Sequence, residues 1–126
     1  MTAPRLALAA ALLALGGCGT TDAEARQTAA AITGGDPARG QMLMRHYGCA
    51  SCHTIPGVPG ADALVGPPLA GIASRSYIGG VLTNSPANMM RWIRDPKQVD
   101  SLTAMPNVGV TESDARHLAA YLYTLR

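Results

Sequence analysis

Ten residues, Leu6 to Leu15, run apolar without a polar interruption directly behind Arg5. A helix that crosses a membrane needs roughly 20 such residues, so this run reads as the hydrophobic stretch of an export signal. Residues 19–35 are small and polar with no sustained apolar face, and predict a flexible or transiently helical tether ending at Gly34-Gly35. The helical period sets in at Asp36, which can cap a helix with Pro37 in its first turn. On that helix Gly40, Leu43, Met44 and Tyr47 share one face. A shorter helix is expected after Ser85, with Met89, Trp92 and Ile93 on one face. It should end near Asp95, because Pro96 cannot continue it. Near the C-terminus Thr111 and Asp114 make a capping-box pattern, with Asp in place of the usual Glu. Leu118, Tyr121, Leu122 and Leu125 then repeat the helical spacing. No strand alternation and no internal repeat stand out. The pattern divides the chain into residues 1–17, an export signal; 18–35, a tether; and 36–126, one domain.

Residues 48–84 carry almost no period, and a structureless stretch that long is unusual in a compact domain. Composition sharpens the problem. Of 126 residues 23 are Gly or Pro, and most of these fall between Gly34 and Pro86, so the middle is neither long helix nor regular sheet. There is no Phe, one Trp and four Tyr, a thin aromatic supply for a small core. Such a chain is expected to fold around something that is not protein. A net charge of +2 with a single lysine, Lys97, lacks the basic footprint of a nucleic-acid binder.

The three cysteines divide two to one. Leu15-Gly16-Gly17-Cys18 resembles the lipobox of bacterial lipoproteins. That resemblance implies a lipidated Cys18 as the first residue of the mature chain, anchored to a membrane on its periplasmic or other extracytoplasmic face. In an exported protein an odd thiol needs an explanation, and lipidation provides one.

The other two stand in Cys49-Ala50-Ser51-Cys52-His53. Two thiols three positions apart, with an imidazole directly after the second, form the attachment motif for c-type haem. Each thiol makes a thioether to one vinyl group of the porphyrin, and His53 lies under the iron as a nitrogen ligand. A zinc site would need four ligands, and only His46 and His117 remain beyond the motif. A thioredoxin-like pair would follow a strand, and none precedes Cys49. For the opposite face of the iron, Met42, Met44, Met89 and Met90 lie on helices, where Met more often fills core. Met105 lies in the loop Thr103-Ala104-Met105-Pro106-Asn107, free of helix packing. His46 is too near Cys49 to reach the other face easily, and it and His117 read as ordinary polar residues.

With these residues in place, the chain from 36 to 126 resembles a class I cytochrome c. The resemblance implies an all-α cytochrome c fold, three to four helices with long loops wrapped around one covalent haem c. It implies that Gly40 lets the first helix cross the last at Leu118 and Tyr121. It matches the family's Gly-Pro-x-Leu to Gly66-Pro67-Pro68-Leu69, with the Pro67 carbonyl accepting from the His53 Nδ1–H. It assigns the distal sulfur to Met105. The run from Asn84 to Pro96 is similar to haem domains joined to subunit II of terminal oxidases, in which Arg, Tyr, Trp and Asn side chains bond the propionates. Arg75, Tyr77, Asn84 and Trp92 are the matching candidates. The lysine ring of soluble mitochondrial-type cytochromes is missing, so strong electrostatic steering is not expected.

A His/Met pair saturates the iron and suits it to one-electron cycling rather than substrate binding. The expected role is therefore an electron carrier and not an enzyme. It would be lipid-tethered outside the cytoplasmic membrane, between a quinol-oxidising complex or dehydrogenase and a terminal oxidase or reductase. The alternatives are a permanent electron-transfer subunit of one redox complex, and a haem enzyme or sensor in which Met105 is displaced.

Overall fold

The structure is a computed structural model, and it describes residues 21–126; the export run, the lipobox and Cys18 lie outside the described residues. Five helices carry the fold: α1 (Asp22–Thr33), α2 (Pro37–His46), α3 (Pro86–Arg94), α4 (Pro96–Val99) and α5 (Glu112–Leu122). Two-residue strands β1 (Tyr77–Ile78) and β2 (Leu82–Thr83) pair antiparallel as a small hairpin. Single 3₁₀ turns cover Cys49–Ser51 and Ile72–Ser74. The all-α fold class expected from the sequence is the one observed, since the hairpin is too short to form a layer.

The predicted caps hold α2 and α3 where the pattern placed them. The Asp36 carboxylate accepts from Ala38 N–H (2.8 Å), and the Ser85 hydroxyl accepts from Asn88 N–H (3.2 Å). Asp95 ends α3 and at once caps α4, where Pro96 takes the first position. In α5 only half of the expected capping box forms. Thr111 Oγ1 accepts from Asp114 N–H (3.1 Å), but the Asp114 carboxylate turns to α2 instead. There it accepts from the Tyr47 hydroxyl (2.8 Å) and faces Arg39 (3.4 Å). An Asp is one methylene shorter than the Glu of a full box, and a phenol from the neighbouring helix offers the better donor.

From Thr21 on, the segment 18–35 departs from the expected tether. From Asp22 it is a regular helix, closed by a full capping box between Thr21 and Glu24 and packed on α5. Ala25, Ala29 and Thr33 form its buried stripe. These side chains are small, so they give little apolar contrast along the sequence; what they permit is close approach of two helix backbones.

α5 is the centre of the molecule, contacted by α1, α2 and α3. Ala115, Leu118, Ala119, Ala120, Tyr121 and Leu122 are all buried. The crossing with α2 depends on Gly40. A methyl there would run into the His117 backbone carbonyl and come within 2.9 Å of Tyr121 Cβ. At the same crossing His117 Nδ1 accepts from Asp36 N–H (2.8 Å), so this histidine ties the start of α2 to α5.

Candidate haem site

The Gly/Pro-rich middle of the chain, α3 and the loop before α5 enclose a cavity of about 540 Å³, within the size range of small-molecule sites. Its walls are mainly aliphatic: Met44, Ile72, Ile78, Met89, Leu118 and Leu122 among them. No buried side-chain nitrogen or oxygen among the described residues lacks a hydrogen-bond partner, so the apolar lining hides no unmet polar group.

Cys49, Cys52 and His53 lie together on one wall. The left-handed Gly48 (φ 75°) turns the chain out of α2 into the 3₁₀ turn that holds Cys49. His53 N–H donates to Cys49 carbonyl (3.0 Å), closing the motif on itself. Burial pushes the Cys49 thiol above its ordinary value. A redox-active dithiol needs the opposite, a stabilised thiolate, and the burial of Cys49 works against one.

The imidazole of His53 is fixed by its backbone surroundings. Its Nδ1 lies 2.7 Å from the Pro67 carbonyl, which can only accept, so Nδ1 donates and, in the neutral ring, Nε2 carries the free lone pair. Pro67 is placed by two bonds on either side: Gly66 N–H to Cys52 carbonyl (2.7 Å) and Leu69 N–H to Thr54 carbonyl (2.9 Å). Gly66 must be glycine, because a Cβ would stand 2.5 Å from His53 Cε1.

Met105 lines the same cavity from the loop between α4 and α5. Its N–H donates to Thr103 Oγ1 (3.2 Å), and Lys97 Nζ donates to the Thr103 carbonyl (3.0 Å), so the one lysine braces this loop. Met44 and Met89 are also in the wall, each 2 % exposed and part of the hydrophobic cluster. Met42 is exposed. His46 is exposed and stands edge-on to Tyr47, outside the cavity lining.

The candidates for the propionates separate. Arg75, Tyr77 and Trp92 line the cavity. Arg75 Nη2 donates to the carbonyls of Pro68 (2.5 Å) and Ala70 (3.0 Å), bracing the loop that holds Pro67. Asn84 does not line it. Its amide donates to the carbonyls of Ile72 and Arg75 (both 2.8 Å), and its oxygen accepts from the Tyr123 hydroxyl (2.7 Å). With both N–H groups used on backbone, Asn84 clamps the Arg75 loop to the end of α5. Nothing in the sequence pattern separates such a clamp from a ligand contact, since an Asn offers the same groups to either.

The chemistry of this donor set fits an iron porphyrin. Two thiols at vinyl spacing, an imidazole with a free Nε2, a loop thioether and a large apolar enclosure are what a covalent haem requires. A bare metal ion is poorly served, for among the described residues no three His, Cys, Asp or Glu side chains cluster.

Comparison with known proteins agrees with the geometry. The family model described as "Cytochrome c" matches residues 37–126. The chain is 32% identical over 89 residues to "Cytochrome c oxidase subunit 2" of Alkalihalophilus pseudofirmus, a match covering 70% of this chain and 25% of that protein. The chain thus aligns with about a quarter of that relative's length. No solved structure shows a significant match.

Proposed function

The chain belongs to the cytochrome c family, an electron-transfer family with haem c attached through Cys49 and Cys52, and on that premise we propose that it is a membrane-tethered, single-haem electron carrier serving a terminal oxidase. The observation that carries the reading is the convergence of Cys49, Cys52, His53 and Met105 on one apolar cavity. The bound haem supplies a single reversible electron. The chain's own residues do the rest. His53 Nε2 and the Met105 sulfur are the proposed iron ligands, and together they would leave no position for substrate. Pro67 holds the His53 ring in the ligating tautomer. Arg75, Tyr77 and Trp92 are the candidates to meet the propionates, and the aliphatic walls keep water away and favour the less charged ferrous state.

The cavity rim suits brief docking. Val65 and Val108 line the cavity and are exposed; Leu64, 85 % exposed, is next to Val65 in sequence, and Leu102, 92 % exposed, is next to Thr103, which also lines it. Residues 63–74 and 101–111 contain no charged side chain. An uncharged rim fits weakly salt-dependent encounters rather than lysine-steered ones. The acceptor is proposed as a terminal oxidase because the curated relative is an oxidase subunit; a quinol-oxidising complex or dehydrogenase is the corresponding donor. Such partners are integral to membranes, and tethering raises the local concentration of carrier beside them.

The tether is proposed to be a lipid on Cys18, reached through export of the chain and removal of residues 1–17, with the domain on the extracytoplasmic side. No helix among the described residues is long and apolar enough to cross a membrane. Only Gly19 and Thr20 separate Cys18 from the Thr21 cap of α1, so the lipid would attach close to the folded domain. A short leash of this kind also favours a second reading, a permanent subunit seated against one complex. Membranes from cells making the wild type or Cys18→Ser test the tether. Wild-type haem should sediment with membranes that reoxidise it with dioxygen, and the variant haem should be released. A variant that sediments like the wild type would overturn the lipid anchor. Haem that the oxidase cannot reoxidise would overturn the partner.

A further inference from the structure

A second depression, about 630 Å³, lies between the end of α3 and the start of α5. Three guanidinium groups line it: Arg91 and Arg94 from the last turn of α3, and Arg116 from α5. Cations at a helix C-terminus are favourable in their own right, which accounts for Arg91 and Arg94 on α3 but not for a concave wall facing a third arginine. The donors in this wall are largely unused. The guanidinium groups of Arg91 and Arg94 make no hydrogen bond or ion pair within the described residues, and the Asn107 amide uses only its oxygen, accepting from Gly109 N–H (2.9 Å). The two carboxylates present each already accept a bond: Glu112 from Arg116 (2.6 Å) and Asp95 from Gln98 N–H (3.2 Å). Three positive charges against two leave a net positive hollow in which the Arg91 and Arg94 forks are free and Arg116 is shared with Glu112.

We propose that this hollow binds a phosphate-bearing anion, gripped by Arg91, Arg94 and Arg116, and that its occupancy is coupled to the haem. A tetrahedral phosphate has oxygens enough for forks converging from two helices, whereas a single carboxylate satisfies only one. The coupling is structural and electrostatic. Asn107, Gly109 and Val110 line the hollow, Val110 also lines the haem cavity, and this segment continues the loop of Met105. An anion here favours the more positive ferric state, so it lowers the midpoint potential. By reciprocity the ferric protein binds the anion more tightly by the corresponding factor. A threefold preference corresponds to a drop of about 28 mV, at 59 mV per tenfold for one electron. The binding half of the proposal is independent of the carrier reading; the coupling half rests on it.

The test uses full-length Cys18→Ser holoprotein, with pyrophosphate as the soluble probe and phosphatidylglycerol or phosphatidylcholine vesicles as the lipid probe, at low ionic strength. Saturable binding of pyrophosphate by calorimetry, weakened tenfold or more in Arg91→Gln/Arg94→Gln and retained in Arg26→Gln, supports a soluble phosphate ligand. Binding confined to phosphatidylglycerol vesicles with the same variant pattern supports a lipid headgroup. The haem spectrum of each variant reports that the fold is kept. Binding to neither probe, or equal binding by the double variant, overturns the site. Binding that leaves the potential unchanged overturns the coupling.

Discussion

Two side chains show how narrow the tolerances are at the scale of the residue. Gly66 → Ala would press a methyl onto the His53 ring, and overpacking of this kind costs about 1–3 kcal/mol. The ring must then tilt away from Pro67, so the variant should show a weakened sixth-coordinate, low-spin haem signal and a lower melting temperature; unchanged values would mean the ring is not held there. Asp114 makes a prediction about pH. The Tyr47 hydroxyl's hydrogen bond holds its carboxyl below the ordinary carboxylate range, with Thr111 and Arg39 acting in the same direction. A carboxyl with a depressed folded value contributes stability above its unfolded value, about 3.9, and loses it as pH falls through the folded one. Tyr47→Phe should therefore lower stability at neutral pH and flatten its decline in acid, measured as melting temperature against pH. A parallel shift at every pH would contradict the role of this bond.

The helices were legible in the sequence to unequal degrees. α2, α3 and α5 carry large apolar residues at helical spacing behind Asp36, Ser85 and Thr111, so both their faces and their starts could be read. α1 was not, because its buried stripe is Ala25, Ala29 and Thr33, and alanine contrasts weakly with its polar neighbours. Its local sequence signals are the Thr21–Glu24 capping box and the glycine stop at Gly34. The haem motif was legible from its spacing, since covalent attachment allows few arrangements, and Pro67 through the family's Gly-Pro-x-Leu pattern that residues 66–69 resemble. The role of Asn84 was not, because it depends on which carbonyls a loop presents to it. If α1 is an integral element, Ala29→Asp buries an unpaired carboxylate at a site 2 % exposed and should cost about 2–4 kcal/mol. Urea unfolding of the holoprotein measures it; a midpoint like that of the wild type would show that α1 is dispensable.

For the whole molecule the haem is both cofactor and core. Without it the largely aliphatic cavity of about 540 Å³ would stand open to water, and the loops that wrap it would lose the surface they pack on, in a domain whose total stability is about 5–15 kcal/mol. Cys49→Ala/Cys52→Ala, made without covalent haem, should thus lack a cooperative unfolding transition by circular dichroism, and a sharp transition would contradict this. As proposed, His53 and Met105 would close the iron to substrate and suit it to electron transfer. The most direct measurement is the near-infrared spectrum of the ferric holoprotein, wild type and Met105→Ala. A thioether-to-iron band is expected in the wild type and should be lost in the variant while the haem stays attached. A five-coordinate, ligand-binding haem in the wild type, or a band that survives in Met105→Ala, would contradict it.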